Sequence, residues 1–247
     1  MGVRIAFEEF VDITTAARSP SDFNEALRRI TRLMGYDFFA LTHHVEAIAD
    51  RPEAIRLHNY PPSWEEFFEA SRLGLSDPIH RASHLTTFGF AWRRVPTMIA
   101  LTPADRRVLA LAAEHGIGDG FTIPAHMPGE AQGSCSFATA ADRPAPTHSL
   151  ALAQLAGAYA FETARRLWDV RPRLAAATLT DRQRDCLILV AQGRTDKEVA
   201  RMVGISPETV VQHIKQARDR YGVQKRTSLL IRALFDGTVS FADILRR

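Results

Sequence analysis

The chain contains few cysteines and no long apolar run, and both features narrow its possible functions. Cys135 and Cys186 are its two cysteines. They fall in different predicted domains, so we expect no disulfide framework and infer a reducing compartment, the cytoplasm. No uninterrupted apolar run approaches the roughly 20 residues of a membrane-spanning helix, and no signal peptide opens the sequence. A soluble cytoplasmic protein without membrane contact is therefore expected.

Sequence signatures of several enzyme classes are also missing. The chain has no G-x-S-x-G turn of a serine hydrolase, and the glycines that follow Gly116 lack the spacing of a dinucleotide-binding loop. His80 and His84 lie four residues apart on a predicted helix, but no third ligand stands at a spacing that would complete a metal site. A metal-dependent enzyme fused to a further module is thus the weaker alternative. We expect no enzyme activity, no metal and no cofactor.

Positive charge is concentrated at the carboxy-terminal end of the chain. From Arg171 onward there are 15 Lys and Arg against 8 Asp and Glu, whereas the preceding residues hold 16 against 20. No lysine precedes Lys197, which excludes a phosphoryl receiver because that domain needs a lysine to pair with its phosphate. A basic segment joined to a mildly acidic one indicates nucleic-acid binding by one part of the chain only.

The basic segment carries the helix signals of a helix-turn-helix. Capping boxes begin at Thr180 and Thr195, and Ser206 followed by proline opens a third helix. The tight turn at Gly204 would place that third helix in a DNA major groove. Its apolar stripe has helical spacing: Val210, Ile214, Ala217 and Tyr221. A three-helix packing module without DNA contacts uses the same signals, but the location of the positive charge favours DNA binding.

The opposite face of the third helix offers side chains suited to base edges and phosphates. Gln212 can form two hydrogen bonds with adenine, Lys215 can reach guanine or phosphate, and Val211 can contact a thymine methyl group. Phosphate contacts are expected near the helix starts. The predicted DNA-binding residues are Thr195, Lys197, Thr209, Val211, Gln212, Lys215, Gln216 and Lys225.

The segment 179–227 resembles the DNA-binding module of the LuxR family. The matching residues are Leu179, Thr180, Arg182, Arg184, Gly193, Lys197, Glu198, Val199, Ala200, Gly204, Ile205, Ser206, Thr209, Val210, His213, Gly222, Val223, Arg226 and Thr227. Gln183 and Asp185 stand where the family more often has glutamates, although Gln183 can still complete a capping box. The resemblance implies an all-α, four-helix helix-turn-helix domain over 179–247.

Residues 1–168 alternate between predicted helices and strands. Apolar periodicity predicts helices over 7–15, 103–114 and 148–168. Capping signals predict three more helices, which begin at Ser21, at Ser63 with Glu66, and at Asp77. Branched and aromatic residues predict strands over 37–46, 54–59, 88–92, 121–125 and 134–139. This order favours an α+β fold, an α-β-α sandwich, followed by a linker over 169–178.

Polar and aromatic residues are concentrated between Tyr60 and Trp92. A small apolar ligand with a few polar atoms needs an apolar pocket with a few placed hydrogen-bonding groups, and Tyr60, Trp64, Asp77 and Ser136 could supply them. Each residue also has a structural explanation. The tryptophans fit a hydrophobic core, and Asp77 before proline fits a helix cap, so spacing alone leaves the choice open.

The first domain is similar to the autoinducer-binding domain of LuxR-type quorum-sensing regulators. The matching residues are Asn59, Tyr60, Pro61, Trp64, Asp77, Pro78, Phe90, Ala91, Trp92, Gly116, Gly120, Phe121, Pro124, Gly129, Gly133, Ser136 and Phe137. With the carboxy-terminal module, the resemblance covers nearly the whole chain. Phe68 departs from the family pattern, because the family usually has tyrosine there, and this difference affects the expected preference for the ligand tail.

The resemblance implies a role for each candidate ligand-binding residue toward an N-acyl-homoserine lactone. Trp64 is expected to hold the lactone carbonyl and Asp77 the amide N–H. Tyr60 is expected to hold the amide carbonyl with help from Ser136, while Trp92 packs against the ring. Phe68 is the sixth candidate ligand-binding residue.

The function implied by the resemblance is that of a bacterial, ligand-responsive transcription regulator. It would bind an N-acyl-homoserine lactone in residues 1–168 and double-stranded operator DNA through residues 179–247, act as a homodimer, and contact RNA polymerase. The candidate dimer surfaces are the long helix before the linker and an apolar set after Thr227: Leu229, Leu230, Ala233 and Leu234. A family member that needs no ligand, or senses a different small molecule, is the alternative.

Overall fold

The computed structural model describes residues 2–45, 54–169 and 179–245, with side chains from residue 7 onward. The chain divides into two compact units, one formed by residues 1–127 and 131–171 and the other mainly by residues 172–247. The predicted linker lies almost entirely outside the described residues. The predicted boundaries at 168 and 179 therefore stay predictions.

The first unit is built on an antiparallel sheet. The described residues form five strands: β1 (Phe38–His43), β2 (Arg56–His58), β3 (Phe90–Ala91), β4 (Ile117–Ala125) and β5 (Gly133–Ala140). They lie in the order β2-β1-β5-β4-β3. Along β1 and β5, Ala40 is paired with Ser136 and Leu41 with Cys135. Because side chains alternate along a strand, the side chains of the first pair lie on one face of the sheet and those of the second pair on the other.

Helices cover both faces of this sheet, which confirms the α-β-α sandwich. They are α1 (Gly2–Ala16), α2 (Pro20–Leu33), α3 (Pro62–Ala70), α4 (Pro78–Ser83), α5 (Val95–Met98), α6 (Pro103–Glu114) and α7 (Leu150–Leu167). Helices α1, α2 and α7 enclose the larger core, which contains Phe39, Leu41 and Phe137. Helices α3 and α6 enclose a smaller core with Ala138 and Ile117.

Two predicted helix caps are wrong, and proline explains both errors. Helix α2 is capped by Ser19, which accepts a hydrogen bond from the Asp22 amide, so the predicted cap Ser21 lies inside the helix. Helix α3 begins at Pro62 without a side-chain cap, and Ser63 again lies in the first turn. The fixed φ of proline suits the first helical position and moves the start toward the amino terminus.

The predicted strands are partly shortened. The third strand contains Phe90 and Ala91 only, because a 3-10 turn begins at Trp92. The first strand ends at His43 rather than at residue 46, which lies outside the described residues. By contrast, β4 begins at Ile117, four residues earlier than predicted.

The second unit is all-helical, as predicted. It contains α8 (Asp181–Ala191), α9 (Asp196–Val203), α10 (Pro207–Tyr221), α11 (Arg226–Phe235) and the single turn α12 (Phe241–Ile244). Both capping boxes form, and Gly204 ends α9 at φ 75°, in the left-handed region that favours glycine. The predicted apolar stripe of α10 is fully buried. Across the described ranges, no helix is long and apolar enough to span a membrane.

Candidate ligand-binding and DNA-binding sites

A cavity of about 90 Å³ lies in the first unit between the sheet and helices α3, α4 and α6. Its lining includes all six residues that the sequence predicted to bind a ligand: Tyr60, Trp64, Phe68, Asp77, Trp92 and Ser136. Apolar side chains of α6 and the sheet complete the wall: Val108, Leu109, Ala112 and Ile117. The structure thus brings together residues that are distant in sequence around one mostly apolar space.

Asp77 combines the two roles that its sequence position allowed. Its carboxylate is buried, with 6% of the residue exposed. One oxygen, Oδ1, accepts hydrogen bonds from the amides of Ile79 and His80 at 2.6 and 3.2 Å and so caps α4. The other oxygen, Oδ2, has no hydrogen bond with any described residue. Asp77 therefore holds the helix with one oxygen and keeps the second as an acceptor at the cavity.

Trp64 and Tyr60 supply hydrogen-bond donors at the same cavity. The Trp64 ring is buried against Phe67 and Phe68, with ring centroids 5.5 and 6.1 Å apart. Within the described part of the chain, neither the Trp64 indole N–H nor the Tyr60 hydroxyl makes a hydrogen bond. Burial, and secondarily the charge of Asp77, raises the pKa of Tyr60 above its usual value, so its phenol keeps the proton that it would donate.

Trp92 and Ser136 belong to a chain of hydrogen bonds through Thr122, a residue that the sequence did not single out. The Trp92 indole donates to the Thr122 hydroxyl at 2.7 Å, and that hydroxyl lies 2.8 Å from the Ser136 oxygen. Trp92 therefore offers a ligand its ring rather than its N–H. If Thr122 donates to Ser136, the Ser136 hydroxyl keeps its own hydrogen for a ligand.

In the second unit, the predicted DNA-binding side chains lie opposite the buried stripe of α10. Val211, Gln212 and Lys215 are exposed on that helix, whereas Val210 and Ile214 are buried. The three lysines of the chain all belong to this unit: Lys197, Lys215 and Lys225. They are exposed and make neither a hydrogen bond nor an ion pair with a described residue. Their charges are thus available to DNA phosphates.

The remaining predicted DNA-binding residues are exposed or half-buried but already have partners. Gln216 accepts a hydrogen bond at its Oε1 from the buried Gln183 at 3.0 Å, which leaves its NH₂ group and one lone pair of Oε1 for a base. The Thr195 hydroxyl donates to Glu198 at 2.8 Å. The half-buried Thr209 hydroxyl lies 3.1 Å from that of Ser206. These three side chains position the helices and have less capacity left for DNA than the lysines.

Family models match both units. Residues 19–164 match the autoinducer binding domain, and residues 177–233 match the bacterial regulatory proteins of the luxR family. The chain belongs to the LuxR family of transcription regulators. This family consists of transcription regulators and not of enzymes, and it accounts for both the ligand cavity and the helix-turn-helix.

Relatives of this LuxR-family regulator align over nearly their whole length. The transcriptional activator protein AhyR of Aeromonas hydrophila is 27% identical over 234 residues, which cover 93% of this chain and 90% of AhyR. The quorum sensing-dependent regulator RpaR of Rhodopseudomonas palustris is 27% identical over 94% of this chain and 93% of its own. The crystal structure of Escherichia coli SdiA has the same fold, with 20% identity, a TM-score of 0.66, and coverage of 97% of this chain and 98% of SdiA.

Phe68 lies at the junction of two cavities of this LuxR-family regulator. A second cavity of about 230 Å³ shares Thr42, Arg56, Phe68 and His80 with the first. The Phe68 ring stands edge-on to His80 with centroids 5.8 Å apart. Because phenylalanine has no hydroxyl group, it adds only apolar surface between the two spaces.

A polar group at the edge of the cavity was missed by the sequence analysis. Arg56 and His58 on β2 line the cavity together with Glu65 on α3. Arg56 Nη2 lies 3.1 Å from Glu65 Oε1, and His58 Nε2 lies 3.3 Å from the same oxygen. The alternation of Arg56 and His58 is a signal in the sequence, since residues two apart on a strand share a face, but it becomes visible only once β2 is placed beside β1.

A second polar group is a cluster of four histidines: His44, His80, His84 and His126. The sequence analysis considered His80 and His84 for a metal site but did not place them with the other two. The buried His44 places Nδ1 2.7 Å from His84 Nε2, and its ring stacks on His80 at 3.8 Å. The His84 and His126 rings are 5.7 Å apart. Burial, and then the neighbouring histidines, lowers the pKa of His44 well below its usual value. In the part of the chain that the structure describes, no group of three or more histidine, cysteine or acidic residues is placed to hold a metal.

Candidate dimer residues after Thr227 need a correction. Leu229 and Ala233 are fully buried in the core of the second unit, so they cannot form an external surface. The helical period of α11 turns these two residues inward and leaves Ile231 and Phe235 exposed, at 66% and 46%. On α7, the exposed large apolar residues are Leu155 and Tyr159.

Proposed function

We propose that this regulator binds an N-acyl-homoserine lactone in the cavity of its first unit. As a homodimer in the bacterial cytoplasm, it would bind operator DNA and regulate transcription. The observation that carries the ligand proposal is Asp77. A buried carboxylate with one unused oxygen, beside two unused donors, matches a ligand that offers one N–H and two carbonyl groups. Carbon-rich walls around these groups suit an acyl tail.

The amide N–H and the two carbonyl groups of the lactone each have a complementary group in the proposed complex. Asp77 Oδ2 accepts the amide hydrogen, and the Trp64 indole donates to the lactone carbonyl. The Tyr60 hydroxyl donates to the amide carbonyl, with Ser136 assisting. Trp92, whose N–H is already bonded to Thr122, packs its ring against the lactone. The acyl tail extends along the α6 wall toward Phe68.

The amide hydrogen distinguishes this ligand class from neutral acyl esters. One structure of SdiA is described as its complex with octanoyl-rac-glycerol, a molecule whose ester has no N–H. Its glycerol hydroxyl groups can still donate a hydrogen bond to a carboxylate. An acyl ester without a hydroxyl group would leave Asp77 Oδ2 without a donor, and a buried charged acceptor without a partner is costly. We therefore propose that this chain prefers an acyl amide to a hydroxyl-free acyl ester of equal tail length.

The ligand proposal can be tested by titrating the full-length protein with octanoyl-homoserine lactone and, in parallel, with the matching ester, α-octanoyloxy-γ-butyrolactone, in which an oxygen replaces the amide N–H and no hydroxyl group is present. The wild type should bind the lactone more tightly. Asp77→Asn should reduce lactone affinity about 10- to 100-fold, because the asparagine oxygen can still cap α4 while its NH₂ group faces the amide hydrogen. Asp142→Asn, which changes an exposed aspartate at φ 65° that asparagine tolerates, is the matched control and should bind normally. Equal binding of both ligands, or full affinity in Asp77→Asn, would contradict the proposal.

The DNA proposal follows from the exposed face of α10. Two copies of the helix-turn-helix would read the two halves of a pseudo-palindromic operator. The exposed apolar residues on α7 and α11 are the proposed dimer surfaces, and RNA polymerase is the further partner proposed for the DNA-bound regulator. Sedimentation with an operator duplex should give two chains per site, and one chain per site would contradict the dimer.

A further inference from the structure

The ligand cavity has a polar corner, formed by Arg56, His58 and Glu65, that the proposed lactone contacts do not use. We propose that His58 selects lactones whose acyl chain carries a hydroxyl group near the amide, by accepting the hydroxyl hydrogen at Nδ1. This inference rests on the proposed function, because it places the ligand in the same cavity.

Glu65 fixes which nitrogen of His58 carries the hydrogen. His58 Nε2 lies 3.3 Å from Glu65 Oε1, and an ionised carboxylate only accepts hydrogen bonds. The hydrogen therefore sits on Nε2 and leaves Nδ1 as an acceptor. Burial lowers the pKa of His58, although Glu65 opposes this effect, so the ring is neutral near pH 7.

His58 Nδ1 is a buried acceptor that has no hydrogen-bond partner among the described residues. Buried polar atoms of native proteins are nearly always paired, and an exception needs an explanation. His58 lines the cavity, but Nδ1 itself is closed to solvent. A shift of the imidazole ring would expose Nδ1 to a ligand that donates a hydrogen bond, and such a ligand would provide the missing partner. A ketone at the same carbon would place its lone pairs against that of Nδ1 and be disfavoured.

The rest of the corner disfavours an anionic ligand. Arg56 is only 23% exposed in its side chain and forms ion pairs with both Glu65 and Glu69. Its charge is therefore already balanced. With a neutral His58, the corner and Glu69 together carry a net negative charge. A neutral hydroxyl group suits these surroundings, whereas a carboxylate does not.

The position of His58 also indicates which carbon bears the hydroxyl. The His58 and Tyr60 rings are neighbours, with centroids 6.1 Å apart, and Tyr60 is the proposed partner of the amide carbonyl. A group that reaches His58 must therefore leave the acyl chain close to that carbonyl. The 3-position satisfies this condition and leaves the carbon next to the amide unchanged, so we place the hydroxyl group there.

The test compares three ligands of equal length on the full chain: octanoyl-, 3-hydroxyoctanoyl- and 3-oxooctanoyl-homoserine lactone. The wild type should bind the 3-hydroxy form about tenfold more tightly than the unsubstituted form, as expected for one net hydrogen bond, and should bind the 3-oxo form no better than the unsubstituted one. In His58→Phe, which keeps an aromatic ring but removes Nδ1, the three affinities should become equal. Glu65→Gln removes the obligate acceptor for Nε2–H and should reduce the hydroxyl preference while octanoyl-homoserine lactone still binds.

The outcomes separate this inference from the proposed function. Binding of all three lactones without a hydroxyl preference, or a preference that survives His58→Phe, overturns the role of His58 and leaves the lactone cavity standing. A preference for the 3-oxo form overturns the assignment of Nδ1 as an acceptor. Failure of every lactone to bind the folded wild type overturns both.

Discussion

The two sites of this regulator keep their functional groups in opposite environments. At the cavity, Asp77 and Trp64 are 6% exposed, and each has a polar atom without a partner inside the described protein. On α10, Val211 is 47% exposed, and Gln212 and Lys215 also face water. Ligand binding in the cavity depends on a few hydrogen bonds made away from water, whereas DNA binding by α10 depends on many contacts that solvent screens. Ligand binding should therefore affect stability strongly, and DNA binding should depend strongly on salt.

The largest expected effect is stabilisation of the first unit by its ligand. At a lactone concentration 100 times its Kd, mass action adds about 2.7 kcal/mol to the free energy of unfolding of the unit that binds it. Hydrogen exchange should show slower exchange in α3, α4 and β5 and unchanged exchange in α8–α10. The fluorescence of the three tryptophans reports the same unit, because all lie before residue 170. Equal protection of both units would contradict a ligand site confined to the first.

Substitutions on the reading face of α10 should have the next largest effect. Gln212→Ala and Lys215→Ala should each weaken operator binding by about 1–3 kcal/mol and relax the preference for particular bases. Fluorescence anisotropy with the operator and with single-base variants would measure both effects. Gln216→Ala is the comparison, since its Oε1 is held by Gln183, and it should alter base preference less. An unchanged base preference in all three variants would mean that another helix lies in the groove.

Acid should weaken the first unit through the four-histidine cluster. Burial holds the pKa of His44 and of His84 below the ordinary value of 6.5, so the unfolded chain takes up protons before the folded chain does. The resulting stability is fully present above about pH 6.5 and is lost as the pH falls toward the folded pKa values. His80 from α4, His84 just after that helix and Ser134 on β5 contact His44. His126, which follows β4 and stacks edge-on to His84, and the adjacent His43 also disfavour protonation of His44.

Urea unfolding followed by tryptophan fluorescence would test this pH dependence. The urea midpoint of the wild type should be lower at pH 5.5 than at pH 7.5. His44→Phe should reduce the difference between the two midpoints, because it removes the most buried imidazole. A wild-type midpoint that rises with acid, or a difference that His44→Phe leaves unchanged, would contradict the role of the cluster.

The smallest effect is expected from a phosphate contact. Lys197→Ala should weaken binding to all DNA sequences alike and reduce the slope of log affinity against log salt by about one. Affinity measured between 50 and 300 mM salt would give that slope. A change in base preference would show that Lys197 reads sequence instead of positioning the helix.

Local sequence signals predicted the start of a helix correctly where residues of its own first turn supply the cap. The capping boxes at Thr180 and Thr195 and the Asp77 cap all form as expected. The errors at Ser21 and Ser63 arose because a proline one residue earlier takes the first helical position. The α-β-α order was predictable because apolar periodicity changes between helical and strand segments.

The polar corner and the histidine cluster were not predictable, because both depend on long-range pairing. Arg56 and His58 reach the cavity only because β2 pairs with β1, with His58 opposite Ala40. His44 meets His84 and Ser134, which are 40 and 90 residues distant in sequence. A single sequence does not show which residues so far apart along the chain come into contact after folding. The six ligand candidates, by contrast, came from a family pattern that records the outcome of the same pairing.

The most direct test of the central claim, that Asp77 holds an acyl-homoserine lactone, is mass spectrometry of small molecules extracted from the purified protein. The protein would be expressed in a host supplied with a mixture of lactones that includes 3-hydroxy and unsubstituted acyl chains. Wild type and Asp142→Asn should retain a lactone in near-equimolar amount, and folded Asp77→Asn should retain little. Equal retention by wild type and Asp77→Asn, or none by the folded wild type, would contradict the claim.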